Sequence, residues 1–138
     1  MNPTPNKNPK FTGYFRVTES PFGAYHATDF YFLDNGVMIV AGLVSSPSGD
    51  KILIELNVAL VDGTSKGDFQ VTDFDGRPWA FGIHTHSNGS GEFYNADTGT
   101  FEMTYIEKIS HLTGKSNFIS NRDGANEKFA FEFNITQR

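Results

Sequence analysis

Near its C-terminal end the chain alternates strictly: Phe129, Phe131, Phe133 and Ile135 are interleaved with Lys128, Ala130, Glu132 and Asn134. Successive side chains on a β-strand point to opposite faces, so such a run buries one side and wets the other only if it is extended. The same rhythm returns in Phe101, Met103 and Tyr105 against Thr100, Glu102 and Thr104, and again in Ile52, Ile54, Leu56, Val58 and Leu60. No apolar series keeps an i, i+3, i+4, i+7 spacing over three turns, and helix formers are scarce, with six Leu and eight Ala against fourteen Phe. The chain is therefore expected to be all-β.

The segments between these runs carry turn chemistry. Asp34-Asn35-Gly36 separates two apolar stretches, the strongest short-range hairpin signal. Pro47-Ser48-Gly49-Asp50, the 62–67 segment, Asp75-Gly76-Arg77-Pro78, the 87–91 segment, Ala96-Asp97-Thr98-Gly99 and the 121–126 segment supply the Gly, Asn or Asp that turns require. Roughly nine strands at this spacing indicate a barrel or a sandwich. Because the connections are short, sequence neighbours are expected to pair. This reading favours a single antiparallel up-and-down β-barrel of about eight to nine strands; the alternative is a two-sheet β-sandwich or jelly roll. The stretch 37–44 is apolar on both faces, as for a strand covered on both sides. The 106–112 stretch reads as an edge strand, a bulge or one helical turn.

Composition narrows the function classes. A chain of 138 residues with 38% hydrophobic and 20% charged residues is too apolar for disorder. Residues 1–10 form a polar, Pro-rich N-terminal tail and residues 11–138 one β-barrel or β-sandwich domain, since one domain is the default at this length. The tail is expected to pack on that domain or on a neighbouring subunit, which makes a homo-oligomer a hypothesis to test. A net charge of -5 and the lack of a Lys/Arg stripe argue against a nucleic-acid partner. No apolar run approaches the ~20 residues of a membrane helix, so no membrane partner is expected. With no apolar leader in the sequence as given, a cytoplasmic location is the simplest expectation. There is no cysteine, hence no disulfide and no thiol nucleophile. Asp73-Phe74-Asp75-Gly76 lacks the later ligands of a calcium loop.

One cluster carries metal chemistry: His84-Thr85-His86 with Glu92. Two imidazoles at i and i+2 on a strand share a face, and a carboxylate from the next strand could complete a site for a divalent transition metal. With Trp79, Phe81 and Ile83 taken as facing the core, Ala80, Gly82, His84 and His86 share the opposite face, the small residues leaving room for a ligand. This stretch resembles the first motif of the cupin family, Gly-x5-His-x-His-x3-4-Glu-x6-Gly. His84-x-His86 is followed by Glu92 and then by Gly99, so the Glu-x6-Gly half matches. The His86-to-Glu92 gap is one residue too long, Pro78 replaces the leading Gly, and His111 has no Pro-x-Gly-x2-His context. The resemblance implies a jelly roll and a metal-dependent enzyme using His84, His86 and Glu92.

The aromatic residues suggest a different site. Trp79, the single tryptophan, with Tyr94, Asn95 and His26 could form a rim of flat rings and hydrogen-bonding groups around a ligand. With no catalytic set evident, the leading expectation is a non-catalytic β-barrel module, without cofactor, that binds an apolar small molecule or a protein partner. The alternatives are the cupin-like metal enzyme and a structural or assembly subunit.

Overall fold

The computed structural model describes residues 10–34, 38–45, 47–59, 61–69 and 78–138. The readings made above for the N-terminal tail, the Asn35-Gly36 turn, both faces of the 37–41 stretch, Leu60 and the 73–77 turn lie outside the described residues.

The described residues form eleven strands: β1 (Phe11–Glu19), β2 (Tyr25–His26), β3 (Asp29–Asp34), β4 (Met38–Ser45), β5 (Lys51–Val58), β6 (Gly63–Asp68), β7 (Trp79–Thr85), β8 (Gly91–Asn95), β9 (Thr98–Ile106), β10 (His111–Arg122) and β11 (Ala125–Gln137). A 3₁₀ turn, Glu107–Ile109, resolves the ambiguous 106–112 stretch. It closes on Ser110, whose φ of 50° lies in the left-handed region. No helix among the described residues is long and apolar enough to cross a membrane.

The strands make two antiparallel sheets, one ordered β2-β1-β11-β10-β9-β6 and the other β3-β4-β5-β7-β8. The all-β expectation holds, and the architecture is the two-sheet alternative: the described strands do not close into a barrel. Short connections misled the barrel reading for a physical reason visible at two corners. Ala27 N–H donates to Phe15 O in one sheet while Thr28 N–H donates to Leu43 O in the other. Likewise Ala96 N–H donates to Ala80 O and Asp97 N–H to Ile119 O, again in opposite sheets. Two consecutive amides are enough to transfer the chain from one layer to the other, so a short link need not be a hairpin.

The alternating series point where their rhythm requires. Phe129, Phe131, Phe133 and Ile135 are all buried, facing Ile54, Leu56 and Val58 of the other sheet across a core that includes Phe15, Phe30, Phe32 and Phe118. Phe15 stacks on Phe131 with ring centroids 5.3 Å apart, and Phe118 on Phe129 at 4.6 Å. Glycine admits these rings to the backbone of the smaller sheet. A Cβ on Gly82 would stand 3.0 Å from Phe129 and 3.3 Å from Ile54. The outer faces differ sharply. On the six-stranded sheet Lys66, Glu102, Lys115, Glu132 and Arg16 follow one another in register across β6, β9, β10, β11 and β1. Their charges alternate, and Arg16 and Glu132 form an ion pair. A groove of about 610 Å³ crosses this charged face.

Candidate metal centre

Ala80 is fully buried and Gly82 is pressed against Phe129, so β7 turns residues 80, 82 and 84 inward. This corrects the expected faces. Trp79, Phe81 and Ile83 look outward, where Trp79 and Phe81 pack at 4.9 Å and Phe81 and Phe93 stack at 5.2 Å. The interior is already filled by phenylalanine from the opposite sheet, and only the small side chains of Ala80 and Gly82 fit against it. The room read as a ligand space beside the histidines is thus taken by Phe129.

His84 stands where this inner face leaves the core at one end of the sandwich. It lies directly opposite Glu92 in the β7–β8 register. Below them Tyr94 of β8 packs on Phe129 at 5.4 Å, and Phe22 packs on His84 at 4.7 Å. Phe22 comes from the β1–β2 turn, which Ser20 fixes by accepting from Phe22 N–H and donating to Gly23 O. His86 follows just past the end of β7 in a tight turn, where its N–H donates to Ser90 O at 2.7 Å and its carbonyl accepts from Gly89 N–H at 2.9 Å. Asn88 caps that turn, its Oδ1 accepting from Ser90 N–H and Oγ–H.

The fourth member is Asp50, at the end of the β4–β5 turn. Its Oδ1 accepts from Ser87 N–H at 3.0 Å, which ties the two turns together. Its Oδ2 lies 3.3 Å from His84 Nε2 and 3.8 Å from His86 Nδ1. The two remaining ring nitrogens face the other carboxylate: His86 Nε2 is 2.9 Å from Glu92 Oε1, and His84 Nδ1 is 3.5 Å from Glu92 Oε2. The imidazoles are 4.4 Å apart and sit between Asp50 on one side and Glu92 on the other. His84 is the most enclosed of the four, its side chain 17% exposed. The hydrogen bond with Glu92 raises the pKa of His86, and the same bond lowers that of Glu92.

One donor atom from each of Asp50, His84 and His86 lies within 4.8 Å of the others. Ligands about 2.0–2.1 Å from a tetrahedral zinc stand roughly 3.3 Å from one another, so the Asp50–His84 and Asp50–His86 spacings need little adjustment. Two imidazoles and a carboxylate suit zinc, cobalt, nickel or iron better than calcium or magnesium.

Sequence reasoning brought His84, His86 and Glu92 together but read Asp50 only as a turn residue. No local spacing reveals it. Only the pairing of Lys51 with Thr85, which places the two turns side by side, brings Asp50 to the histidines. Of the aromatic set, Trp79 and Asn95 meet on the outer face, where Trp79 Nε1–H donates to Asn95 Oδ1. Tyr94 is on the inner face, 8% exposed, and His26 is on the other sheet, paired with Arg16. His111 is separate too, bonded to Asn134 at 2.8 Å. No family model matches the chain, and neither a curated protein nor a solved structure matches it.

Proposed function

We propose that this β-sandwich is a metal-binding module that holds one divalent transition-metal ion through Asp50, His84 and His86. The observation that carries the reading is the convergence of three donor atoms within 4.8 Å from strand β7 and two separate turns of the smaller sheet. A second feature supports it: Glu92 Oε2 is closed off from solvent and accepts no hydrogen bond, an arrangement that favours positive charge beside it. Three protein ligands leave at least one position for water or a small molecule, the pattern of sites that do chemistry rather than purely structural ones.

Titrating chelator-stripped protein with Co²⁺ tests this directly. The expected result is one equivalent bound with a visible d–d spectrum, and a loss of at least roughly 100-fold in affinity for His84→Ala and for His86→Ala. Wild-type binding no tighter than that of His84→Ala overturns the reading.

The outer face of the smaller sheet favours a second reading, self-association. Leu43, Leu53, Ile83 and Phe93 form one row across β4, β5, β7 and β8, and Phe93 is 44% exposed. Four strands at ~4.8 Å spacing offer on the order of 400–600 Å² of this face, the lower end of what each partner gives to a stable interface. A second copy of the chain is the occupant this area fits. Light scattering should show a dimer that Phe93→Glu dissociates, and a monomer at millimolar concentration ends the idea.

A further inference from the structure

Within the metal-site reading, on which this step rests, the two carboxylates do different work. Asp50 and Glu92 approach opposite nitrogens of the same two rings. An imidazole that coordinates through one nitrogen carries its proton on the other, and a carboxylate accepting that proton fixes both tautomer and ring orientation. We infer that Glu92 is the positioning residue of the site, accepting Nδ1–H of His84 and Nε2–H of His86, so that His84 Nε2 and His86 Nδ1 present their lone pairs to an ion held with Asp50.

Three observations converge on this division. The register opposes Glu92 to His84, so β8 fixes its carboxylate beside that ring. Each Glu92 oxygen faces a different histidine: Oε1 is hydrogen-bonded to His86 Nε2 at 2.9 Å. Oε2, which accepts no hydrogen bond, stands 3.5 Å from His84 Nδ1, placed to take that proton once an ion replaces the contact of His84 Nε2 with Asp50. The three-donor group comprises Asp50, His84 and His86, with Glu92 outside it. The assignment also explains why the rings differ in the nitrogen they present. His84 lies within β7 and His86 beyond its end, so their side chains reach the same two carboxylates from opposite orientations. The ion would then have two nitrogens and one oxygen from protein, with the rest of its coordination facing the open end of the sandwich.

The test compares wild type, Glu92→Gln, Glu92→Asp and His84→Ala by Co²⁺ titration, with the imidazole tautomers read by ¹⁵N NMR in the Zn²⁺-loaded proteins. In Glu92→Gln the new amide oxygen can still accept from His86, but the amide N–H₂ would face His84 Nδ1 and oppose a proton there. The expected tautomers of loaded wild type are Nδ1–H for His84 and Nε2–H for His86. Glu92→Gln should still bind one equivalent, about 10–100-fold more weakly, with His84 no longer held as Nδ1–H. Glu92→Asp should recover part of the affinity. A merely structural role for Glu92 would leave the tautomers unchanged. Unaltered affinity in Glu92→Gln, abolition as complete as in His84→Ala (which would make Glu92 a ligand), or reversed wild-type tautomers each overturn the inference while the metal site stands. If wild type itself binds no Co²⁺, the site fails and this role for Glu92 fails with it.

Discussion

Gly82 shows how one missing side chain sets the geometry of the candidate site. Its backbone lies against Phe129, so β7 can come close to the opposite sheet and carry His84 to the mouth of the core. Filling that space forces the phenylalanine or the strand to move. Gly82→Val should cost about 1–3 kcal/mol by overpacking, seen as a lower denaturant midpoint with an unchanged slope. The reverse change belongs to the same contact: Phe129→Ala leaves a cavity and should cost roughly 3–5 kcal/mol. The slope is the control in both cases, because a change in it would mean that the compactness of a state had changed rather than its packing. At this scale the core was readable, since alternation alone places Phe129, Phe131 and Phe133 on one wall. The face of β7 was not. Trp79, Phe81 and Ile83 look like core residues by type, yet they lie outward because the volume inside is already occupied.

The strands themselves were largely legible, and their partners only in part. β9, β10 and β11 pair as sequence neighbours; the 121–126 turn pointed to the second of these hairpins, while the 106–112 stretch left the first open. β5 pairs with β7 instead, because β6 leaves for the other sheet and binds β9. That choice is written in two consecutive amides at each corner and in burial across many residues, neither of which a local motif displays. It is also why Asp50 escaped notice while His84, His86 and Glu92 did not. Pairing across the six-stranded sheet makes its own prediction. Lys115 stands between Glu102 and Glu132 in the alternating row, so Lys115→Glu puts three like charges side by side. With opposed pairs worth about 0.2–1 kcal/mol each, the substitution should destabilise by about 1–2 kcal/mol, and added salt should recover part of it. A loss that ignores ionic strength would mean that packing, not charge, sets the row.

For the molecule as a whole, the metal site would add a second tie between two turns that the Ser87 N–H bond to Asp50 Oδ1 already joins. An ion that binds the folded state alone stabilises it by mass action, about 2.7 kcal/mol at a free concentration one hundred times Kd. Wild-type protein should therefore melt at a higher temperature with Zn²⁺ than with chelator. His84→Ala should melt at the same temperature in both. Equal melting temperatures for wild type in the two conditions would show that no ion is bound to the native state at that concentration.

The pairing of β1 with β11 brings Phe11 opposite Gln137, and Arg138 N–H donates to Lys10 O at 2.8 Å. Phe22 and His84 lie beyond the other end of β1, so both ends of the described chain leave from the pole remote from the histidines. A surface tether, a fusion or a genetic splice into a host protein made at that pole would hold the sandwich upright with Asp50, His84 and His86 turned toward whatever approaches. Joining the two ends through a short linker and cutting elsewhere should likewise give a circularly permuted chain that folds.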